Sequence, residues 1–333
     1  MKFTLASSLL LVTVIALPVR AEQVEDSTFV PKVAKPAFID RHPVVMIDRA
    51  HNNYFTMDQH YRAFASLLTQ DGLRVVPGVQ RFSAPLLKNC EILVVAGALG
   101  SKDFNFRSAR APAFLPSECD VVQDWVKQGG SLLLIVDHAP FAVAMQDLVS
   151  RFGVDMGIGY TLDTRRLDPE IGNPGCLLFS RDKDLLGDHP ITRGRNKSER
   201  INRVATFSGQ SLRGPPGSVG FLVLSPSAAD FIVGTEPRRP IDPETQRKSQ
   251  MDEDLKARGA LPAVGRFQGV AFTLGKGRVV VLGEGAMFGT QKVIGKDAHQ
   301  MGKDYLLMGL NRPDLDNAQL ALNIVHWLTR VLN

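Results

Sequence analysis

Short apolar runs alternate with amphipathic segments from Pro43 onward, and this alternation predicts an α/β fold. The runs are rich in Val, Ile or Leu, as expected for strands buried on both faces of a sheet. Because helical patterns separate the strands, the sheet is predicted to be mostly parallel, with helices on both faces. The predicted strands are 44–48, 73–76, 91–97, 131–137, 176–179, 204–208, 220–224, 268–274 and 278–283.

Three segments carry apolar residues at helical spacing, and each begins with a residue type that caps helices. Thr56 with Gln59 predicts the start of the first helix, and Ser117 predicts the start of the second. Asp316 with Gln319 predicts the start of the C-terminal helix. A tight hairpin is predicted at the Gly-Lys-Gly sequence of 275–277, because two strand runs flank it directly.

Residues 1–21 are typical of a cleavable secretory signal. Lys2 precedes an apolar run at 5–17, and Ala21 supplies the small residue of a cleavage site. The run is shorter than the ~20 residues of a membrane-spanning helix, although an uncleaved anchor remains the alternative. Residue 22 is Glu rather than Cys, which argues against a lipid anchor. We expect cleavage after Ala21 and a periplasmic or secreted protein.

The remaining chain divides into an arm, a domain and one loop within that domain. Residues 22–42 are polar and lack periodicity, which predicts an N-terminal arm. Residues 43–333 are predicted to form a single α/β domain. Within it, 236–263 contains prolines and charges with few large apolar residues, which predicts a mobile surface loop.

Charge and cysteine content narrow the classes of partner and site. The formal net charge is +5, but the basic residues are scattered, which argues against nucleic-acid binding. No later segment is apolar enough to span a bilayer. Cys90, Cys119 and Cys176 allow one disulfide or three buried free thiols, and we favour the free thiols. No pair of them has metal-ligand spacing.

Polar residues follow several of the predicted strands. Asp48 and Asp137 end their strands, His138 comes next in the chain, and His51 and Glu284 lie just past strand ends. Ligands of an open parallel sheet bind beyond the carboxyl ends of its strands. We therefore expect these residues to converge on one crevice.

Two imidazoles among carboxylates suit general acid–base catalysis, and they also suit a divalent metal. As a catalytic set, Asp137 or Glu284 would act as acid or base. His51 and His138 would carry protons or bind the metal. The residues predicted to bind the ligand are Asp48, Asn52, Asn53 and Gly97.

The alternative interpretation of the carboxylates is structural. An Asp at a strand end often only caps the following helix through backbone amides. Both interpretations stay open at the level of sequence. No local His-x-x-x-His spacing supports a metal, so the cofactor stays unassigned.

Several motifs resemble a bacterial domain-of-unknown-function family, DUF 4350. They are MIDRAHNN at 46–53, WVKQGGSLLLIVDH at 125–138 and DNAQ at 316–319. That family is similar to the class I glutamine amidotransferase-like superfamily, which includes ThuA-like trehalose-utilisation proteins and the GIFT domain of intraflagellar transport. HPITRG at 189–194 resembles a ThuA-like segment. The resemblance covers about residues 43–332 and implies a flavodoxin-like, doubly wound sheet.

The resemblance also implies what the chain lacks. True amidotransferases carry their catalytic Cys in a Gly-x-Cys-x-Gly turn after a central strand, whereas the matching turn here is VDHAP at 136–140. Glutamine hydrolysis is therefore not carried over. We expect an exported domain that binds a small polar ligand, with a carbohydrate as one candidate, and acts as a hydrolase or isomerase. The alternative is a non-catalytic binding or assembly module with a protein partner.

Overall fold

The computed structural model describes residues 22–103, 106–232 and 259–333. Its strands are β1 Glu22–Glu25, β2 Val44–Asp48, β3 Arg74–Gly78, β4 Ile92–Ala96, β5 Ser131–Ile135, β6 Asp155–Met156, β7 Gly159–Leu162, β8 Cys176–Ser180, β9 Arg203–Phe207, β10 Leu212–Arg213, β11 Val219–Val223, β12 Ala229–Ile232, β13 Leu261–Pro262, β14 Phe267–Leu274, β15 Gly277–Leu282, β16 Thr290–Ile294 and β17 Tyr305–Gly309. Its α-helices are α1 Arg62–Gln70, α2 Ala84–Leu87, α3 Phe106–Ala109, α4 Pro116–Gln128, α5 Phe141–Ser150, α6 Pro190–Arg193, α7 Lys296–Gln300 and α8 Asn317–Leu328.

A nine-stranded mixed sheet forms the centre of the fold. Its order is β3-β2-β4-β5-β15-β14-β10-β6, and β11 also pairs with β14. The strands from β3 to β15 are parallel, while the pairings of β14 with β15, β10 and β11 are antiparallel. The predicted α/β class with a mainly parallel sheet is therefore confirmed, and β5 lies between β4 and β15 near the middle of that sheet.

Helices cover both faces of the parallel strands. Leu133 and Ile135 of β5 belong to a buried cluster that includes side chains from α1 and α8. Leu132 and Leu134, which point the opposite way, belong to a second cluster with side chains from α4 and α5. This alternation is why the sequence of β5 is apolar at nearly every position: both faces of the strand are buried.

The predicted hairpin is present between β14 and β15. Leu274 pairs with Gly277, so Gly275 and Lys276 form the two-residue turn, and Gly275 has a φ of 58°. The Lys276 amide donates a hydrogen bond to the carbonyl of Lys127, at the end of α4. The turn therefore also attaches the hairpin to a helix on the neighbouring face.

The predicted helix starts were wrong in detail. The first helix begins at Arg62, because Thr56 and Gln59 lie in successive turns that precede it. In α4, Leu115 is the N-cap and Ser117 lies inside the helix. Asp316 precedes α8 as predicted, but its carboxylate accepts hydrogen bonds from the backbone amides of Asn202 and Arg203 instead of capping that helix.

Three smaller sheets surround the central one. The strands predicted at 176–179 and 204–208 exist as β8 and β9, but they pair with each other outside the central sheet. Part of the predicted N-terminal arm is strand β1, which pairs with β16, and β16 pairs with β17. A third small sheet has the order β13-β12-β7.

Two predicted segments fall largely or wholly outside the described residues. These are the signal at 1–21 and most of the loop at 236–263, of which only 259–263 is described and contains β13. Cys90, Cys119 and Cys176 are free and buried, as we favoured. Across the described ranges, no helix has the length and apolar character needed to cross a bilayer.

Candidate functional site

The structure distributes the predicted site residues over two groups at the carboxyl edge of the sheet. Asp48 and His51, which follow β2, form a closed buried cluster. Asp137, His138 and Glu284, which follow β5 and β15, form a second group beside a cavity. The geometry of each group indicates what its residues can do.

The His51 imidazole is bonded on both sides. Its Nδ1 lies 2.9 Å from Oδ2 of Asp48, and its Nε2 lies 2.9 Å from Oε1 of Glu118. The ring packs between Phe82 and Phe114, with centroids 4.5 and 4.7 Å away. His51 is 2% exposed, so both nitrogens are committed to partners inside the core.

Electrostatics explain the charge state of this cluster. Burial by itself would lower the pKa of His51, but its hydrogen bonds and charge interactions with Asp48 and Glu118 outweigh that effect and raise the pKa. Glu118 also accepts hydrogen bonds from the backbone amides of Phe82 and Leu115 and from the Arg81 guanidinium. The cluster ties the loop after β2 to the start of α4, which is a structural role.

Asp137 lies two residues past the end of β5 in a left-handed backbone conformation, with a φ of 65°. Few non-glycine residues adopt this conformation, and it concentrates at functional sites. One carboxylate oxygen accepts a hydrogen bond of 2.6 Å from the His138 amide, and the other accepts one of 3.2 Å from the Gly285 amide. The neighbouring Gln210 side-chain amide donates to the Asp137 carbonyl at 2.6 Å.

The orientation of His138 fixes the proton on its ring. Nδ1 lies 2.6 Å from the carbonyl oxygen of Ala139, and because a carbonyl only accepts, Nδ1 carries the hydrogen. In the neutral ring, Nε2 is then an acceptor, and it lies 3.7 Å from Oδ1 of Asp137. The ring stacks on Tyr160 with centroids 4.6 Å apart, and 28% of the His138 side chain is exposed.

Glu284 lies behind Asp137 and is fully buried. Its two oxygens accept hydrogen bonds from the amides of Ala286 and Met287, at 2.5 and 2.9 Å. Burial raises the pKa of Glu284 well above its usual value, and the nearby charge of Asp137 raises it further. Burial also raises the pKa of Asp137, against the opposing effect of His138. The two carboxyls therefore tend to retain a proton that exposed carboxyls would release.

A cavity of about 210 Å³ opens beside this second group. Asp137 and His138 supply its polar lining, together with Ser208 and Gln291. Tyr54, Phe55 and Phe141 supply aromatic surface. Sequence analysis missed these aromatic residues, although Tyr54 directly follows the predicted ligand-binding residue Asn53.

The predicted ligand-binding residues mostly support the loops at this edge. The Asn52 side-chain amide donates to the carbonyl of Leu99, and that of Asn53 donates to Asp48. The Gly97 carbonyl accepts a hydrogen bond from the Tyr54 amide, and a Cβ at Gly97 would lie 2.7 Å from the Phe55 ring. Asn52 and Asn53 also line a further cavity, next to the first.

The donor set gives no support to a metal. Within the described residues, no group of three or more His, Cys, Asp or Glu side chains is arranged to hold a metal ion. In the first cluster, both His51 nitrogens already have carboxylate partners. Any chemistry at the second group is therefore best sought in its own acids and imidazole.

Comparison with known proteins gives the fold its place. The mmIFT52 N-terminal domain superposes with a TM-score of 0.55 at 14% identity, over 86% of this chain and 97% of that one. The chain has a class I glutamine amidotransferase-like fold. Also similar are a ThuA-like protein from Bacteroides uniformis (TM-score 0.41, 10% identity, 90% and 94% covered) and a GMP synthase protein from Thermoplasma acidophilum (0.38, 10%, 87% and 96%).

No protein-family model matches this chain, and no curated protein is similar enough in sequence to count as a relative. The structural likenesses are all at low identity, so they show the amidotransferase-like fold and nothing about activity. The site must be interpreted from its own geometry.

Proposed function

We propose that the chain is an exported, amidotransferase-like enzyme that binds a small polar ligand in the Asp137–His138 cavity and performs acid–base chemistry there. The observation that carries the proposal is Asp137 itself. It combines a left-handed backbone, a buried carboxyl with a raised pKa, and a position against a partly exposed imidazole in a cavity. Strongly perturbed carboxyls in cavities are candidates for catalysis.

The two side chains have complementary roles in this proposal. Asp137 keeps its proton above the usual pH range of a carboxyl, so it can act as the acid. His138 holds its hydrogen on Nδ1 and offers Nε2 as the base. A hydrolysis or an isomerisation needs such a pair, because one group gives a proton while another takes one.

The size and lining of the cavity support a small ligand. About 210 Å³ is below the ~300–1,000 Å³ of typical drug-sized sites. Aromatic rings beside hydrogen-bonding groups suit a carbohydrate, in keeping with the resemblance to ThuA-like proteins. Membership of DUF 4350 belongs to this same proposal. A cysteine nucleophile does not, because none of the three cysteines follows β5.

One observation favours a second candidate, a non-catalytic binding or assembly module. Both carboxylate oxygens of Asp137 accept hydrogen bonds from backbone amides, as a purely structural carboxylate would. In that case the cavity would bind a ligand or a protein segment without turnover. The two candidates differ in whether loss of the Asp137 carboxyl changes a rate.

The test uses chromogenic 4-nitrophenyl esters and glycosides with the purified full chain. We expect Asp137→Asn and His138→Ala each to lower kcat at least ~100-fold, the usual contribution of a general acid or base. Asp147→Asn and His299→Ala are matched controls, because both residues are exposed and distant in sequence from the cavity lining. Wild-type protein that turns over no probe, but is stabilised by monosaccharides in thermal-shift measurements, would favour the binding module.

A further inference from the structure

A second cavity of about 350 Å³ lies where β2 and β4 end. Arg49, Asn52 and Thr56 from the segment after β2 line one side, and Lys102 from the segment after β4 lines another. His60 also lines the cavity. Neither of the candidate acid–base residues, Asp137 and His138, is among its lining residues.

The strand order predicts a crevice at this position. The chain passes from β2 outward to β3 and then returns across β2 to form β4 on the other side, giving the order β3-β2-β4. The connections after β2 and β4 therefore leave in opposite directions. Such a reversal is where ligands bind in open α/β sheets.

Two polar atoms in the lining lack partners. Among the described residues, neither Oγ1 of Thr56 nor Nδ1 of His60 has a hydrogen bond, although both atoms are buried. Thr56 is 5% exposed as a whole residue. Unsatisfied buried polar atoms are costly, so two of them lining one cavity indicate a missing partner. A hydroxyl and an imidazole N–H can both donate.

The surroundings determine the kind of partner. Arg49 and Lys102 are the charged residues of the lining, and both are cationic. Arg49 forms an ion pair with Asp58 through Nη2 at 2.9 Å, which leaves other guanidinium hydrogens for a ligand. The His60 ring is held by stacking on Tyr54, with centroids 4.3 Å apart. Donors and positive charge together favour an anion.

We propose that this cavity binds an oxyanion, either a phosphate or a carboxylate carried by a small molecule. Thr56 and His60 donate hydrogen bonds to its oxygens, while Arg49 and Lys102 neutralise its charge. The inference stands apart from the acid–base role of Asp137. Tyr54 lines both cavities, so an acidic ligand held here would lie next to the first cavity.

The test is isothermal titration of the full chain with inorganic phosphate and, separately, with acetate at low ionic strength. Thr56→Val removes only the unpartnered hydroxyl and keeps the side-chain shape. We expect binding at least ~10-fold weaker in this variant, with an unchanged or higher melting temperature, because no internal hydrogen bond is lost. The arm that gives heat identifies the anion as phosphate or carboxylate.

The double change Arg49→Gln with Lys102→Gln provides an independent variant, since both residues lie at the surface. Arg74→Gln with Lys127→Gln is the matched control for net charge. We expect only the first pair to lose binding, and Asp137→Asn to retain it. The proposal is overturned if wild type binds neither anion, if Arg49→Gln with Lys102→Gln binds as wild type does, or if Asp137→Asn abolishes binding.

Discussion

Asp48, His51 and Glu118 show how a buried imidazole can be held by charge. The side chains are 0–4% exposed, and His51 joins two carboxylates through its two nitrogens. The raised pKa of His51 favours the imidazolium, which balances part of their negative charge. Removing the ring would leave two carboxylates facing each other across a space with no cation between them.

We therefore expect His51→Ala to lower the free energy of unfolding by about 3–5 kcal/mol, the usual cost of breaking a buried ion pair. Urea unfolding monitored by circular dichroism measures this change. His299→Ala, at an exposed position, should change stability by less than ~0.5 kcal/mol. Equal stability of the two variants would show that His51 is not holding the cluster together.

Glu284 makes a prediction with a defined sign. Its pKa is raised in the folded protein above the ordinary Glu value of 4.5, mainly by burial. Above the unfolded pKa, the unfolded chain has released this proton while the folded chain retains it. Its contribution to stability is therefore fully present below about pH 4.5 and is lost as pH rises toward the folded pKa.

In Glu284→Gln, this pH-dependent loss should disappear. We expect the wild type to lose at least ~1 kcal/mol relative to the variant between about pH 5 and pH 8, since each unit of pKa difference contributes about 1.4 kcal/mol. A constant offset is expected from the weaker acceptor capacity of Gln. Urea unfolding across this pH range, with Asp147→Asn as control, measures the slope; parallel wild-type and Glu284→Gln curves would contradict the raised pKa.

At the scale of elements, the β14–β15 hairpin connects the antiparallel and parallel halves of the sheet. Gly275 occupies a left-handed position in its turn, and a Cβ there would lie 2.5 Å from the Lys127 carbonyl oxygen. Backbone strain and a steric conflict with the end of α4 therefore act at the same residue. Gly265 also has a left-handed backbone, but a Cβ there would meet nothing within 4 Å.

This pair allows the two effects to be separated. We expect Gly265→Ala to cost about 1 kcal/mol of stability from backbone strain alone. Gly275→Ala should cost at least twice as much, roughly 2–4 kcal/mol, because the turn must also move away from α4. Thermal and urea unfolding of both variants give the comparison. Similar losses in the two would mean that contact with the helix is unimportant.

The predictable elements were those with long apolar runs. The runs at 44–48, 131–137 and 278–283 became central strands because burial on both faces leaves little room for polar positions in the sequence. Short strands such as β6 and β10, with two residues each, carry no such pattern. Capping motifs misled at Thr56, because a hydroxyl pattern cannot show that the chain first makes a series of turns.

Sequence also located the site only in part. Positions after strand ends brought out Asp137 and His138, because topology fixes where strand ends meet. Glu118 could not be found this way, since it reaches His51 from the first turn of a helix. The unpartnered atoms of Thr56 and His60 depend on packing from several segments, which no local pattern encodes.

For the molecule as a whole, the cysteines predict independence from redox conditions. Burial raises the pKa of Cys90 to about 12 and that of Cys119 to about 11, so neither thiol readily forms a thiolate. We expect negligible reaction of the native protein with a thiol reagent such as DTNB, and full reaction in urea. The melting temperature should be the same with and without reductant; a difference would indicate a disulfide.

Export makes the remaining prediction. Protein recovered from a secreting host should have an intact mass that begins at Glu22, the first residue of β1. The pairing of β1 with β16 would then involve the new N-terminus itself. A mature chain that retains Met1 would contradict the proposed cleavage.

The pairing of β15 with β5 has a consequence for how the chain folds. Arg278 must meet Ser131, so this parallel pairing closes a very long loop and is expected to form slowly. Until residues 277–282 arrive, β5 presents an unpaired, largely apolar edge that invites association with other chains. Fragments ending before Gly277 should therefore aggregate, and nascent chains would depend on chaperones until that strand is available.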